Sequence, residues 1–412
     1  MPEKNLRQLL LILFAPLFIG ISCATFNPNT HILKDVLKRS HTKAINNVTI
    51  TAAVPSENES RELFCANLYS NNIQPVWLEI ANNDDKPVWF LPYSIDSEYF
   101  TPMETSFISK SFSDPEKNRF YNSVSFNGMS IPPNKVKSGF VFTHLDEGSK
   151  EFNVDIMGED GELRTTAFII DIPGLDKDRK DITAEIVDDP NPIESFQTAE
   201  QLQSYLEALP CCTTNESNSK NADPLNLVMI GSEEEVQHAL IRSKWKETEN
   251  TNARSVWKTI QSFLFGKAYK YSPMSSLYLF GRRQDISFQK PRESVAERNH
   301  LRLWKSSVLY NNSPVWVGQI SRDIGVAYNW NTIITHQIDP DVDEARDYLI
   351  QNMWYSMALR KIVYVNGVGM SDMASPQKNL SGHEYFSDGR RAVLWPAAEH
   401  TMLEDVSLLK WK

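Results

Sequence analysis

The sequence lacks the short motifs that identify many enzymes and cofactor-binding domains. Its 412 residues contain no glycine-rich phosphate loop, no GxGxxG turn, no GxSxG nucleophile elbow and no HExxH metal site. Only four cysteines are present, without a CxxC pair or a Cys/His spacing typical of zinc. We therefore predict no cofactor and no metal ion, and any reaction must depend on polar residues outside these motifs.

The chain also lacks an excess of basic residues. It carries 42 Lys and Arg against 52 Asp and Glu, a formal net charge of −10. Nucleic-acid-binding proteins usually show a basic excess, so we exclude nucleic acid as a general partner. Apolar residues form 41% and aromatic residues 11% of the chain, enough to fill hydrophobic cores. At this length, two or three domains are expected.

The apolar run at the N-terminus is too short to span a bilayer comfortably. Lys4 and Arg7 precede fourteen residues, LLLILFAPLFIGIS, which end at Cys23, whereas a span needs roughly 20 apolar residues. This pattern is typical of an export signal. The end of the run resembles a bacterial lipobox, although leucine usually stands where Gly20 stands. We expect Cys23 to carry acyl chains that anchor the protein in a membrane; the alternative is an ordinary signal peptide with an incidental cysteine.

The residue after Cys23 bears on location. In lipoproteins of Gram-negative bacteria, a residue other than aspartate here favours the outer membrane, and this chain has Ala24. We therefore expect a periplasm-facing protein of the cell envelope, at the outer rather than the inner membrane. Export permits disulfides. A bridge from Cys65 to Cys211 or Cys212 is considered, because adjacent cysteines pair with each other only at the cost of strain.

Periodicity and turn signals divide the chain into segments. Short alternating strands with polar turns indicate an antiparallel β-sandwich in the first half, and helices mixed with strands, without regular βαβ alternation, indicate an α+β domain in the second. The predicted fold class is thus a β-sandwich followed by an α+β domain. The segments are a signal peptide at 1–23, a tether at 24–45, the sandwich at 46–173, a linker with a short helix at 174–222 and the α+β domain at 223–412.

Helices are predicted at several places in the second half. An amphipathic helix is expected at 198–209, and another at 232–245 should be capped by Ser232 with Glu235 as its capping-box partner. A third is expected at 251–265. The fourth should run from Asp341 to Leu359.

The acid-rich stretch THQIDPDVDEARD at 335–347 looks at first like a metal site. Its aspartates imitate the start of a calcium loop, but the required glycine is Glu344 and the twelfth position is Ile350, so calcium is excluded. We interpret the stretch as a helix start with Asp339 as N-cap, because acidic residues in a first turn meet the positive end of the helix dipole. Arg346 should pair with the neighbouring Asp343 or Asp347.

Several polar residues at predicted strand positions are candidates for chemistry. His336 lies between two isoleucines, so it is either a core histidine or an acid–base group. Alternation in NHLRLW places His300 and Arg302 on one strand face, which either faces solvent or binds an anion. Pairs at strand ends either form a site or hold loops by salt bridges. The candidate catalytic residues are His336, His300 and Asp323, and the candidate anion-binding residues are Arg282, Arg283, Arg302 and Arg322.

A basic island supports anion binding. Residues 267–305 hold nine Lys or Arg and three Asp or Glu, a local net charge of +6 in an acidic chain. Interleaved aromatic residues suit phosphate or phospholipid head groups. The alternative is that the acidic residues at 339–347 neutralise the island in the fold.

The blocks LYLFGRRQDISFQKPR, NHLRLW, PVWVGQISRDIG, THQIDPDVDEARDYL and YFSDGRRAVLW carry a family resemblance. In this order they resemble the LssY C-terminal domain family, over residues 223–397. Related domains occur joined to membrane proteins, including ones that resemble lipid-phosphate phosphatases. The resemblance implies a membrane context and a lipid or phosphate ligand, and it assigns no catalytic residue.

These observations favour an exported, membrane-anchored lipoprotein that binds an anionic envelope ligand. The first alternative is a phosphate-ester hydrolase with His336 as acid–base and with Arg302 and Arg322 holding the phosphate. The second is a structural or interaction subunit of an envelope complex, for which an aromatic patch of Trp77, Trp89 and Phe90 would have to be exposed.

Overall fold

The computed structural model of the chain describes residues 30–108, 112–146, 149–172, 194–247, 276–291, 298–329, 332–408 and 411. Side chains are described within these ranges except at 30, 291, 325–329 and 332–337. Cys23, the tether up to residue 29 and the predicted helix at 251–265 lie outside the described residues. Of His336, only the backbone is described.

The N-terminal half forms two antiparallel four-stranded sheets, in the orders β1-β2-β3-β6 and β5-β4-β7-β8. Alternating apolar residues on their inner faces, such as Val76, Leu78 and Ile80 against Phe152, Val154 and Ile156, form one core. The predicted β-sandwich is confirmed. Its strands are β1 (His41–Ile45), β2 (Val48–Ala53), β3 (Ile73–Asn82), β4 (Val88–Leu91), β5 (Ser130–Ile131), β6 (Lys135–His144), β7 (Ser149–Gly158) and β8 (Leu163–Asp171).

Helices cover the outer face of the first sheet. Phe64 and Phe120 pack there with Phe142, which makes a second, aromatic-rich core. Trp77 and Phe90 are 6% and 2% exposed, so the aromatic patch required for an interaction subunit does not form from them. The helices are α1 (Thr30–Leu37), α2 (Glu57–Phe64), α3 (Pro102–Ser106) and α4 (Asp114–Val124).

The C-terminal half is built on a mixed ten-stranded sheet in the order β13-β16-β17-β18-β12-β23-β20-β24, with β19 beside β18 and β9 beside β17. The remaining strands form two small sheets, β11-β10-β14-β15 and β21-β22. The strands are β9 (Glu194–Phe196), β10 (Cys212–Thr214), β11 (Asn221–Pro224), β12 (Leu227–Ile230), β13 (Lys246–Glu247), β14 (Tyr278–Leu279), β15 (Arg282–Arg283), β16 (Ile286–Pro291), β17 (Arg298–Tyr310), β18 (Ser313–Asn329), β19 (Thr332–Ile338), β20 (Leu359–Ser371), β21 (Gln377–Lys378), β22 (Glu384–Tyr385), β23 (Ser387–Pro396) and β24 (Ser407–Leu408).

Helices lie on both faces of this large sheet, whose neighbouring strands are mostly antiparallel, and the predicted α+β class is confirmed. Two pack on one face through a core that includes Leu240 and Leu349, and the third packs on the other through Leu202 and Leu206. The predicted capping box of Ser232 and Glu235 is confirmed. The helices are α5 (Ala199–Ala208), α6 (Glu233–Arg242) and α7 (Val342–Tyr355).

The start of α7 corrects the predicted cap. Asp341, not Asp339, is the N-cap, and its side chain accepts a hydrogen bond from the backbone N–H of Asp343. The Asp339 carboxylate instead accepts from the N–H of Asp341, which tightens the turn before the helix. The helix ends at Tyr355, earlier than the predicted Leu359, which begins β20.

The cysteines also differ from the bridge considered above. The structure links the adjacent Cys211 and Cys212 as a disulfide, while Cys65 lies outside this bridge, at the C-cap of α2. The prediction of a bridge from Cys65 is therefore wrong. Cys65 belongs to the N-terminal half of the fold, whereas Cys211 and Cys212 belong to the C-terminal half.

Two buried arginines fasten loops and helix ends to the C-terminal sheet. Arg391 on β23 is fully buried and donates hydrogen bonds to the backbone carbonyls of Leu206, Leu209, Pro210, Leu225 and Gly367. Arg242 at the end of α6 donates to the carbonyls of Met357, Ala397, Ala398 and Glu399. Burial lowers the pKa of each to about 10, so both remain charged at neutral pH.

Candidate functional site

The register of β16, β17 and β18 sorts the candidate residues onto two faces of the sheet. Directly opposed residues of antiparallel strands point to the same face. His300 opposes Ser321 and Arg302 opposes Gln319, whereas Asn299 opposes Arg322. His300, Arg302 and Asp323 therefore share one face, and Arg322 lies on the other, where α7 packs.

On the first face, His300 and Asp323 form a pair. The His300 Nε2 and Asp323 Oδ2 atoms are 2.7 Å apart, and the two side chains are 13% and 5% exposed. The Nδ1 atom of His300 is buried and has no hydrogen-bond partner among the described residues. A carboxylate on one nitrogen fixes the orientation of the ring and leaves the other nitrogen to exchange a proton.

Arg302 lies beside this pair and is 5% exposed. Its Nη1 donates to Gln319 Oε1 at 2.7 Å. Burial lowers the pKa of Arg302, and the carboxylates of Asp223 and Asp323 oppose that shift. Asp223 accepts from Asn379 Nδ2 at 3.0 Å, and burial raises its pKa against the effect of Arg302. The Arg302 guanidinium thus lies in the electrostatic field of two carboxylates. Because Arg302 is buried, the alternative that this strand face is open to solvent is wrong.

On the second face, Lys290, Asn299 and Arg322 stand side by side on three adjacent strands, and we call them the cationic row. The Arg322 Nε donates to Asn299 Oδ1 at 3.1 Å. The Nδ2 of Asn299, which is 1% exposed, is buried without a partner among the described residues. The Arg322 guanidinium carbon and the Lys290 Nζ lie 5.3 and 5.5 Å from the Tyr348 ring centroid.

The cationic row has no acidic partner in the part of the chain that the structure describes. Lys290 Nζ donates to Ser243 O at 2.8 Å and to Asn352 Oδ1 at 2.9 Å, both uncharged. Burial, and then the nearby Lys244 ammonium, lower the pKa of Lys290 to about 8. Two cations with neutral partners and one unused amide donor form an electropositive surface suited to an oxyanion.

The sequence around these residues was compared with known families. Residues 199–390 match the family described as LssY C-terminus. The resemblance drawn from the sequence blocks is thereby confirmed. The search of curated proteins finds no match for the chain.

The LssY C-terminus match contains both faces just described, from α5 to the first four residues of β23. It excludes the sandwich, which is consistent with an additional N-terminal domain. The cationic row, the His300–Asp323 pair and the acid-rich helix start therefore all belong to the LssY-like part of the chain.

The remaining arginine candidates of the LssY-like domain have different surroundings. Arg282 makes two hydrogen bonds to the Asp285 carboxylate, each 3.0 Å long. This is a salt bridge that holds a loop, one of the two roles expected from the sequence. Arg283 is exposed and donates from Nε to the Tyr278 hydroxyl at 3.1 Å, which raises its pKa. Of the four predicted anion-binding arginines, Arg282 binds a carboxylate and Arg302 lies in the field of two. Arg283 and Arg322 donate to uncharged side chains within the described residues.

The acid-rich helix start borders a cavity of about 530 Å³. As predicted, Arg346 pairs with Asp343 and Asp347, each at 3.0 Å, and it also binds Asp388. These carboxylates thus pair with an arginine of their own helix, and they do not form ion pairs with the described residues of the basic island at 267–305. Within the described residues, no three His, Cys, Asp or Glu side chains are grouped to hold a metal ion.

Sequence reasoning missed Lys290, Asn299 and Asp223. Lys290 follows Ile286 and Phe288 at every second position, so alternation alone could have placed it on the core face of β16. Asn299 and Asp223 gave no such signal, because their neighbours are set by strand order and register, which alternation does not encode.

No described helix is long and apolar enough to cross a bilayer.

Proposed function

We propose that the chain is an exported lipoprotein of the bacterial cell envelope, anchored through Cys23, whose LssY-like domain binds an anionic envelope ligand at the cationic row. The outer membrane is the favoured location. The N-terminal signal, the cysteine that ends it and Ala24 support the anchor and the location.

The observation that carries the binding proposal is that, among the described residues, the two cations of the row pair with neutral groups only. Lys290 and Arg322 flank a tyrosine, and the buried Asn299 Nδ2 offers a further donor. A buried amide donor without an acceptor costs about 1–3 kcal/mol, which an anion oxygen would recover. Anionic lipid head groups and phosphate esters both supply such oxygens.

Flotation with lipid vesicles tests this proposal. The chain beginning at Ala24 keeps every described residue and should float with phosphatidylglycerol vesicles, but not with phosphatidylcholine vesicles, at low salt. The double substitution Lys290→Gln, Arg322→Gln should weaken binding roughly thirtyfold, since each charge contributes about 1 kcal/mol. Arg390→Gln, at an exposed site among acidic residues, is the matched control. Equal flotation of wild type and double variant would contradict the proposal.

A second candidate function rests on the His300–Asp323 pair. Because its Nδ1 has no partner in the described part of the chain and Arg302 lies on the same face, His300 fits a proton-transfer role in phosphate-ester hydrolysis. The sequence predicts His336 for that role. This stays a prediction, because only the backbone of His336 is described. Because Arg302 and Arg322 point to opposite faces, they do not hold one phosphate together, so a hydrolase would use Arg302 alone.

Hydrolysis of a phosphate monoester by wild type and by His300→Gln distinguishes this candidate. General acid–base catalysis contributes typically 10²–10⁴-fold, so kcat should fall by about a hundredfold or more. Arg322→Gln, on the other face, should leave kcat unchanged. The candidate is excluded if the purified chain shows no hydrolysis, or if His300→Gln hydrolyses the ester at the wild-type rate.

A further inference from the structure

A second polar cavity lies between the two domains, and its Lys244 follows Ser243, whose carbonyl accepts a hydrogen bond from Lys290 of the cationic row. Its volume is about 170 Å³, and its walls come from the start of β7, the loop after β4 and the turn after α6. At about 30 Å³ per water in the liquid, this space takes a four-oxygen anion together with water. Cavities between domains are frequent ligand sites.

Three lysines and three carboxyl groups line the wall of the cavity. Lys150, Lys244 and Lys246 line the cavity with the carboxylates of Asp96 and Asp146. Asp146 binds both Lys150, at 2.9 Å, and Lys246, which come from different domains. His144 Nδ1 lies 2.9 Å from Asp96 Oδ2, and the Asp96 carboxylate also accepts from the His144 and Glu98 N–H groups.

Glu151 adds little negative charge at neutral pH. Burial, and then the nearby Glu247 carboxylate, raise its pKa to about 8. Glu247 on β13 donates its backbone N–H to Glu151 Oε2 at 3.1 Å, and Lys246 and Asp146 also act on the same group. A protonated carboxyl in the wall is a hydrogen-bond donor rather than a repelling charge.

Lys244 is the residue whose donors are least used. Its Nζ makes one hydrogen bond within the described residues, to Ser94 O at 3.1 Å across the domain boundary. An ammonium has three donors, so two remain for a ligand. Burial lowers the pKa of Lys244, and Asp155 and Asp96 oppose that shift.

The backbone of Lys244 supports a role for its side chain. Its φ is +62°, in the left-handed region, and it follows the last turn of α6. The N–H groups of Lys244 and Trp245 donate to the carbonyls of Ile241 and Leu240, closing the helix by a motif that usually takes glycine here. A lysine is less stable than glycine in this conformation, and its side chain lines the cavity.

We propose that the cavity between the domains binds a small oxyanion, held by Lys244 from the C-terminal domain and by polar groups of the sandwich. The anion would join the two domains through its oxygens. A sulfate or phosphate group and a carboxylate share this chemistry, and titration with each separates them.

Calorimetric titration of the full chain in detergent with sulfate and with acetate, at constant ionic strength, tests the site. Binding of at least one anion is expected, and Lys244→Met should weaken it roughly tenfold or more because a charged donor is lost. Both titrated chains carry Arg322→Gln, which removes a cation of the cationic row from the measurement, and Lys38→Met in the same background, at an exposed site just after α1, should bind as that parent chain. The inference fails if neither anion binds, or if Lys244→Met binds the anion as tightly as its parent chain.

A chemical measurement on the wild-type chain covers the case in which Lys244→Met does not fold. The anion that binds should slow acetylation of Lys244, followed by mass spectrometry, and leave that of the exposed Lys38 unchanged. Sulfate keeps its charge as pH rises from 7 to 9, whereas Glu151 ionises, so affinity should fall more steeply in the wild type than in Glu151→Gln, in which only the lysines of the wall lose charge. Unchanged acetylation of Lys244 in either anion would overturn the inference.

Discussion

Replacing Arg391 with alanine is expected to lower the free energy of unfolding by about 3–5 kcal/mol. The guanidinium is fully buried and serves five backbone carbonyls, three of them from the end of α5 and the residues that follow it. Alanine would leave those acceptors without donors and open a cavity in the sheet face. Urea denaturation followed by circular dichroism measures the change.

Arg390 provides a matched control one residue away. Its side chain is 49% exposed and pairs with Asp388, so Arg390→Ala should change stability by about 0–1 kcal/mol. A loss below about 1 kcal/mol in Arg391→Ala would show that water replaces the guanidinium at these carbonyls. The hydrogen bonds of Arg391 would then contribute little to the free energy of unfolding.

Cys23→Ser is expected to abolish incorporation of labelled palmitate and to move the protein from the membrane fraction to the soluble periplasm. Each buried CH₂ of an acyl chain contributes about 0.8 kcal/mol to membrane attachment, so loss of all chains removes the anchor. Labelling followed by fractionation and immunoblotting gives both readouts. Loss of one sulfur atom outside the described fold should leave thermal stability unchanged.

Cys65→Ser serves as the control for Cys23→Ser. Cys65 lies at the C-cap of α2 within the sandwich, so its substitution should leave palmitate labelling intact. Label that persists in Cys23→Ser would remove the lipoprotein proposal. Unlabelled wild-type protein that is found in the soluble fraction would favour the ordinary signal peptide instead.

Local pattern was sufficient for much of the fold. The alternation of β3 and β7 predicted a sandwich, and Ser232 with Glu235 predicted the start of α6, because both signals depend on neighbours in sequence. The position of Asp341 was harder to foresee. Three aspartates at alternate positions all suit an N-cap, and only the turn made by Asp339 decides among them.

The candidate sites depended on contacts between distant segments. Alternation correctly put His300 and Arg302 on one strand face, but it could not show that the face is covered or that Asp323 closes on His300. Nor could it separate Arg302 from Arg322, since that division follows from the register between β17 and β18. The burial of Arg391 likewise depends on α5, nearly two hundred residues upstream.

This upstream contact decides how the protein should be cut into fragments for expression. Three of the five carbonyls that surround Arg391 belong to residues before 223, and β9 pairs with β17. A fragment that starts at residue 223 would keep a buried cation and lose most of its acceptors. The shortest C-terminal fragment suited to crystallisation is therefore one that begins at Glu194, the first residue of β9, and retains α5.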